Sequence, residues 1–349
     1  MTLSTLTPGG ITPLTPMPRY RGWLSAVVKP LEDFIDDAID PREYYIDLQE
    51  IAEGESGSVF AAQLAPNKDL AKLRLDAGLV AQDQQTLASG EPVAIAIKSV
   101  AIVPSGSPKL DELGRELKLM RGLSHENILS MDALYVDLLE DSLWIRMELM
   151  ERSLADVVSL VEGGLQLHDR MIARFASDVV QAFQFLQSHQ IAHRDVRSDN
   201  LLLNIQGVVK LADFSTAVQV SPASPLQDDI VGVPYWQVSS LSAYPPYNAL
   251  KVDVWSLGAT VWELAEAEPP FSSTHQLADR FPALSDPKLF SPAFHDFLHQ
   301  CSEPPDSRPD PAKLGAHQFM KNACGRNVII QLLAQCMNIE KQQYQVEED

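Results

Sequence analysis

Ile191-Ala-His-Arg-Asp-Val-Arg-Ser-Asp-Asn200, followed by the apolar run Leu201-Leu-Leu203, is the stretch on which the fold turns. Eighteen residues past Asp195 stands the acid of Leu211-Ala-Asp-Phe-Ser215. A buried loop this dense in charge is costly unless it holds metal and phosphate. In that chemistry one acid can accept a hydroxyl proton, while an asparagine and a second acid hold hard divalent cations through oxygen.

Outward from that loop, Val93 to Val100 (VAIAIKSV) reads as a buried strand, and Lys98 near its end needs an anion. Glu116, eighteen residues later in a helix over about Lys109 to Arg121, is a candidate partner. Taken singly, the two also read as a surface lysine and a solvated helical acid. Upstream, Ile51-Ala-Glu-Gly-Glu-Ser-Gly-Ser-Val59 is a glycine-bearing turn between strand-like runs. Gly54 and Gly57 let backbone N–H groups approach a phosphate, or they form an ordinary hairpin turn.

The chain has 349 residues, enough for one large two-lobed unit or two domains at roughly 100–200 residues each. With 45% hydrophobic and 21% charged residues it can bury a proper core. Lys+Arg is 27 against Asp+Glu 47, a net charge of −20. That balance argues against a general nucleic-acid binder or a polybasic membrane-surface protein and permits attraction for basic peptides. The three cysteines, Cys301, Cys324 and Cys336, show no metal-ligand spacing, which points to a reducing compartment. No apolar run is long enough to span a bilayer, and no signal pattern opens the chain. A cytoplasmic protein without membrane insertion is expected.

Residues 1–22 carry Thr7-Pro8, Thr12-Pro13 and Thr15-Pro16 and read as a flexible tail, with proline-directed phosphorylation as a sharper alternative. Trp23 to Ile39 shows helical spacing interrupted by Pro30, so residues 23–44 are expected to form a short amphipathic helix and linker. Strand patterns then dominate to about Met150, and helical patterns beyond Leu154. An insertion at 66–91 has no assignable role. Residues 321–349 read as a terminal helix with an acidic tail, its apolar positions being Val328, Ile329, Leu332, Leu333 and Cys336.

From about Tyr45 to Met320 the sequence resembles the eukaryotic protein kinases. In register come the Gly-rich loop, Lys98, Glu116, His125-Glu-Asn-Ile128, the His-Arg-Asp loop, Asp213-Phe, Val231-Gly-Val-Pro-Tyr-Trp236, Asp253-Val-Trp-Ser-Leu-Gly258 and Arg308. Pro234-Tyr-Trp236, Lys251 to Gly258 and Glu268-Pro-Pro-Phe271 look most like the PAK-type, sterile-twenty-group serine/threonine kinases. The resemblance implies an α+β, bilobal fold: a small antiparallel sheet with one helix at 45–150, and a larger helical lobe at 151–320. It implies ATP and Mg²⁺ as cofactors and protein substrates basic around the acceptor Ser or Thr. No PAK-like GTPase-binding motif is recognised ahead of residue 45.

The same resemblance assigns roles. Ile51, Gly54 and Gly57 belong to the loop over the ATP phosphates, and Lys98, oriented by Glu116, holds the α- and β-phosphates. Val59, Ala96 and Leu202 sandwich the adenine. Glu148 to Met150 form the hinge, behind a gatekeeper at Met147. Asp195 deprotonates the acceptor, Arg197 stands where a lysine meets the γ-phosphate, Asn200 and Asp213 hold Mg²⁺, and Asp253 braces the catalytic loop.

Several positions depart from the pattern. Ala52 replaces the first loop glycine, Arg197 the catalytic-loop lysine, and Ser215 the glycine of Asp-Phe-Gly. Val233 replaces a threonine that bonds the catalytic aspartate, removing roughly 1–3 kcal/mol of positioning. After Trp236 the Ala-Pro-Glu motif is missing, so Arg308 lacks its acid, a break that costs about 3–5 kcal/mol in a buried pair. That local defect fits a mispredicted exon boundary or a real loosening of the peptide-docking loop. Asp228 and Asp229 occupy the place of the activating phosphothreonine and are either a partial charge substitute facing Arg194 or two solvated acids. Two functions follow: a working serine/threonine kinase, or a pseudokinase that binds nucleotide weakly or not at all and acts by docking partners.

Overall fold

A computed structural model describes residues 20–54, 57–221, 226–229, 231–237, 246–273 and 278–348, except the side chains at 344 and 346–348. The Thr-Pro tail and residues 238–245, where Ala-Pro-Glu is missing, lie outside the described residues. The chain divides into two units: Met1–Leu110 with Asp132–Arg146, and Asp111–Met131 with Met147–Asp349. Residue 116 therefore belongs to the second unit.

In the first unit, strands β1 (Tyr45–Gly54), β2 (Gly57–Leu64), β3 (Ala94–Ala101), β4 (Ala133–Asp137) and β5 (Ser142–Glu148) form a sheet in the order β1-β2-β3-β5-β4. The pairs β1–β2, β2–β3 and β4–β5 are antiparallel. Alternation in β3 sorts its side chains. Ile95 and Ile97 enter a core with Tyr45, Leu64, Tyr135 and Trp144. Ala96 and Lys98 take the opposite face, in register with Ala61 and Val59 of β2.

Ahead of β3 this unit carries the helices α1 (Trp23–Val28), α2 (Pro41–Tyr44) and α3 (Ala77–Ala88). The helix expected over 23–39 stops at Val28. Pro30 sits in a following 3-10 turn because it lacks an N–H and clashes with the preceding helical turn. The chain then bridges to β4, with Asp36 N–H donating to Leu134 O at 2.8 Å. Arg42 grips Asp137 through Nε at 2.7 Å and Nη2 at 2.8 Å, and lies over the Trp144 ring. Residues 23–44 are thus built into the sheet rather than merely linking to it.

The insertion at 66–91 acquires a structural role. Leu70, Leu73, Val80 and Leu87 pack on the core of Ile95, Ile97 and Trp144. From α3, Asp83, only 4% exposed, reaches the buried Arg146 of β5 at 2.6 Å. Asp132 meets the same guanidinium at 3.4 Å.

The second unit holds α4 (Pro108–Met120) from residue 111 onward, α5 (Leu154–Ser159), α6 (Asp169–Ser188), α7 (Ala249–Glu266), α8 (Pro292–Cys301), α9 (Pro311–Gly315), α10 (Gln318–Lys321) and α11 (Arg326–Glu348). Its strands are short: β6 (Arg152–Ser153), β8 (Leu201–Leu203) and β9 (Val209–Leu211) form one sheet in the order β6-β8-β9. Strand β7 (Ile191–Ala192) pairs with β10 (Val218–Gln219), and β11 (Leu226–Gln227) with β12 (Tyr247–Asn248). Apolar side chains of α6 at helical spacing, Ile172, Phe175, Val179, Phe183 and Leu186, face the core of this unit. Ser153 and Asp156 start α5 with a reciprocal capping box. The acidic tail expected after the terminal helix is itself helical, since α11 runs on to Glu348.

Asp83→Ala leaves Arg146 buried with only the longer contact to Asp132. Unfolding in urea should show a loss of about 3–5 kcal/mol, far more than a solvated surface acid contributes. Asp83→Ala combined with Arg146→Met removes the stranded charge and should recover part of that loss.

Candidate active site

The catalytic-loop candidates hang from β7 and end where β8 begins. Arg194 adopts a positive φ of 71° and Asp213 one of 63°, conformations that an L-residue holds only when its surroundings fix it. Asp253 of α7 supplies that fixing for Arg194. Its carboxylate, 6% exposed as a residue, accepts from His193 N–H at 2.8 Å and Arg194 N–H at 2.7 Å. Burial raises its pKa to about 6, while the two N–H groups favour the ionised form. His193 is fully buried, bonds Ala212 O through Nε2 at 3.0 Å and accepts Asp195 N–H at Nδ1. Burial lowers it to about 4, so the ring is neutral and the proton sits on Nε2. Phe214 stands edge-on to that ring at 4.7 Å between centroids.

Around Asp195 the groups converge. Asn200 Nδ2 donates to Asp195 Oδ2 and to its backbone O, each at 2.8 Å, turning the carboxamide oxygen the other way. Arg197 Nε lies 3.5 Å from Asp195 Oδ2, and its Nη1 holds Asp199 at 2.8 Å. Burial raises the Asp195 pKa, opposed by Arg197 and Asn200. No described residue donates a hydrogen bond to Asp195 Oδ1. Val233, half-buried, has no hydroxyl to place there.

Asn200 and Asp213 sit at the two ends of one hairpin. Leu201 of β8 pairs with Leu211 of β9, and Ala212 N–H donates to Asn200 O at 2.9 Å. Asp213 is exposed and accepts Ser215 N–H at 3.2 Å. Glu116 of α4 accepts Phe214 N–H at 3.0 Å, tying that helix to the segment after Asp213. Leu201 and Leu203 are buried in the core while Leu202 takes the other face. The Glu148 side chain is pinned by Lys210 at 2.7 Å and Asn204 at 2.9 Å; Met147 and Met150 beside it are half-buried.

In the first unit, Val59, Ala96 and Lys98 share one sheet face, as their pairing requires. Ile51 is 53% exposed on β1, and Ala52 is exposed beside it. Gly57 has φ 127°, and a Cβ there would sit 2.1 Å from Ser99 O, so no other residue fits. Gly54 meets no such limit. Residues 55 and 56 lie outside the described residues.

Arg194 Nη1 contacts both Asp229 oxygens at 2.8 Å and Tyr247 OH at 3.2 Å, while its Nε donates to Thr216 O at 2.7 Å. Arg308 is not left bare by the missing acid. Its Nη1 donates to Lys251 O at 2.7 Å, its Nε to Glu303 O at 3.1 Å, and the guanidinium lies over Trp255. Among the described residues it forms no ion pair, and burial lowers its pKa to about 10. The missing acid expected from sequence is missing among the described residues, and two carbonyls and a ring face meet the buried guanidinium in its stead.

One polar junction escapes the sequence reading. Glu263 of α7, 4% exposed, accepts from Ser198 Oγ at 2.6 Å and Trp236 Nε1 at 2.9 Å. It joins the loop of Asp195 to the segment of Val233. The clue was available: α7 is buried on every side from Val252 to Leu264, so an acid inside it must have partners.

A family model described as "Protein kinase domain" matches residues 77–320. The chain is 33% identical over 298 residues to "Serine/threonine-protein kinase PAK 1" of Mus musculus, covering 81% of this chain and 48% of that protein. It is 31% identical over 313 residues to "Serine/threonine-protein kinase SMU1" of Mycosarcoma maydis, covering 86% and 37%. It is 31% identical over 309 residues to "Serine/threonine-protein kinase max-2" of Caenorhabditis elegans, covering 86% and 42%. The chain spans about half the length, or less, of these curated relatives.

Burial raises the Glu263 pKa to about 7, above its ordinary value of 4.5. The folded state therefore binds this proton more tightly than the unfolded chain. The associated stability is fully present below about pH 4.5 and is lost as pH rises through 7, on the order of 3 kcal/mol in all. Urea unfolding at pH 5.5, inside the window between the two pKa values, and at pH 8, above it, should show about 2 kcal/mol of this fall. Glu263→Gln, which cannot titrate, should flatten it.

Proposed function

Since the chain belongs to the protein kinase family, we propose that it is an ATP-dependent protein serine/threonine kinase. The single observation that carries this reading is the arrangement at Asp195. One carboxylate oxygen is held by Asn200 and Arg197, and no described residue donates a hydrogen bond to the other.

The donor set fits the cofactors of the family. The carboxamide oxygen of Asn200 and the carboxylate of Asp213 are hard oxygen donors at the two ends of one hairpin, suited to Mg²⁺. Magnesium, when bound there, would neutralise charge on the phosphates and the transferring phosphoryl group. Lys98, oriented by Glu116, is assigned to hold the α- and β-phosphates, and Val59, Ala96 and Leu202 to hold the adenine next to the hinge of Glu148 to Met150. Gly54 and Gly57, with Ile51 at the loop's edge, would cover the phosphates. Asp195 Oδ1 accepts the proton of a Ser or Thr hydroxyl as that oxygen bonds to the γ-phosphorus. The bond from the γ-phosphorus to the β-phosphate bridging oxygen breaks, and ADP departs.

Arg197 is turned toward Asp195 and Asp199, so its charge first steadies the base and is shared less freely with the γ-phosphate than an ammonium would be. A preference for basic sequence around the acceptor draws support from the net charge of −20. A cytoplasmic setting draws support from the three cysteines, all free and buried thiols. No described helix is long and apolar enough to cross a membrane.

The Arg194–Asp229 contact supports a second part of the proposal. Asp229 supplies one negative charge where a phosphate would supply nearly two, and orders this segment without phosphorylation.

Transfer from labelled ATP to a basic Ser-containing peptide should be measurable, and Asp195→Asn should reduce it by about 100-fold or more. A thermal shift with Mg-ATP but no transfer would instead assign a nucleotide-binding docking module. Asp229→Ala should speed protease cleavage within residues 226–229 and 231–237 and lower the transfer rate; unchanged cleavage and rate would remove the charge-substitute role.

A further inference from the structure

The two candidate metal-binding residues flank a hairpin too small to hold itself. Strands β6, β8 and β9 have two, three and three residues, and a sheet this short needs packing from outside. Its outer anchors come from α11, which lies wholly beyond the residues matched by the family model.

The first anchor is Arg326. Its Nη1 donates to Gly207 O at 2.9 Å in the β8–β9 turn. Both terminal guanidinium nitrogens also grip Asp178 of α6, Nη2 to Oδ1 at 2.9 Å and Nη1 to Oδ2. Asp178 is fully buried, and its Oδ2 accepts Val209 N–H of β9 at 2.9 Å. The helix is pressed against this turn: a Cβ built on Gly207, where φ is 75°, would lie 3.1 Å from Ile329 Cβ.

The second anchor is Glu340. Its two oxygens accept Arg152 Nη1 at 2.8 Å and Nη2 at 3.2 Å. Arg152 lies in β6, paired with Leu203 of β8. Between the anchors Ile329, Leu332 and Cys336 are fully buried and Leu333 is 5% exposed. One rigid helix, rising about 21 Å from the first anchor to the second, thus holds the sheet at both outer strands.

We propose that α11 is a splint for the hairpin bearing Asn200 and Asp213, with Arg326 as the positioning residue. The inference rests on the kinase reading for its consequence, the placement of two oxygen donors, but its mechanical half is independent of that reading. Losing Arg326 leaves the buried Asp178 carboxylate with Val209 N–H as its one hydrogen-bond donor and cuts the turn's tie to α11, so that only Asn204 within the turn and Asn127 against β9 still hold it. The displacement is passed along three residues of each strand to Asn200 and Asp213.

The test uses the full chain. Arg326→Met should raise amide exchange in peptides covering 201–211 by about 10-fold or more while residues 332–338 stay protected. It should also raise several-fold the Mg²⁺ concentration that gives half of the ATP-dependent thermal shift. Arg326→Lys, retaining the charge, should fall between. Arg152→Glu should loosen the hairpin from the other side, and Arg152→Glu with Glu340→Arg should restore it to within about twofold. The splint is overturned if hairpin exchange is unchanged, or if the loss of protection stays within α11. Should Arg326→Met fail to fold, the Arg152 and Glu340 pair reversal decides alone. A hairpin loosened by these variants in a chain that shows no Mg-ATP shift at all upholds the splint and removes the kinase reading. Normal transfer with unaltered exchange does the reverse.

Discussion

The carboxylate of Asp253 is the group around which the second unit is organised. Burying it raises its pKa to about 6, and it stays ionised near neutrality because two consecutive backbone N–H groups point at it. Those groups belong to His193 and Arg194, and the latter holds a backbone angle that would relax without them. From the fixed turn, the neutral imidazole of His193 reaches Ala212, next to Asp213, and Asp195 projects toward Asn200. One buried charge thus sets the relative placement of a candidate base and the two oxygen donors.

Much of this was legible from local chemistry. The alternation Ile95-Ala-Ile-Lys98 specifies a strand with one buried face, and the structure places Ile95 and Ile97 in the core with Lys98 opposite Val59. The charge-dense loop after Ile191 could not be surface or ordinary core, and it forms the polar centre described above. What escaped depends on contacts distant in sequence. Asp83 and Arg146 are 63 positions apart, and each alone reads as a solvated charge. The insertion therefore looked roleless until its helix was seen filling the far face of the sheet. Glu263 was missed although its helix is apolar all round, because an acid is normally read as marking the exposed face.

The departures from the family pattern prove unequal in weight. Ser215 leaves Asp213 in a tight turn, its own N–H donating to the carboxylate. Arg308, deprived of its acid, redistributes its donors to two carbonyls and a tryptophan face. Val233 is different in kind, since nothing described replaces the hydroxyl near Asp195, and Arg197 carries more of the task of steadying that carboxylate. The peptide-docking side is instead tied in through Trp236 and Glu263.

The position of the thiols has a practical side. Cys301, Cys324 and Cys336 are the only cysteines in the sequence, all lie in the second unit and all are buried. A sulfhydryl-reactive dye is therefore blind to breathing of the first unit. Its labelling would time openings of the second unit alone, at the terminal helix around Cys336 and in the interior around Cys301.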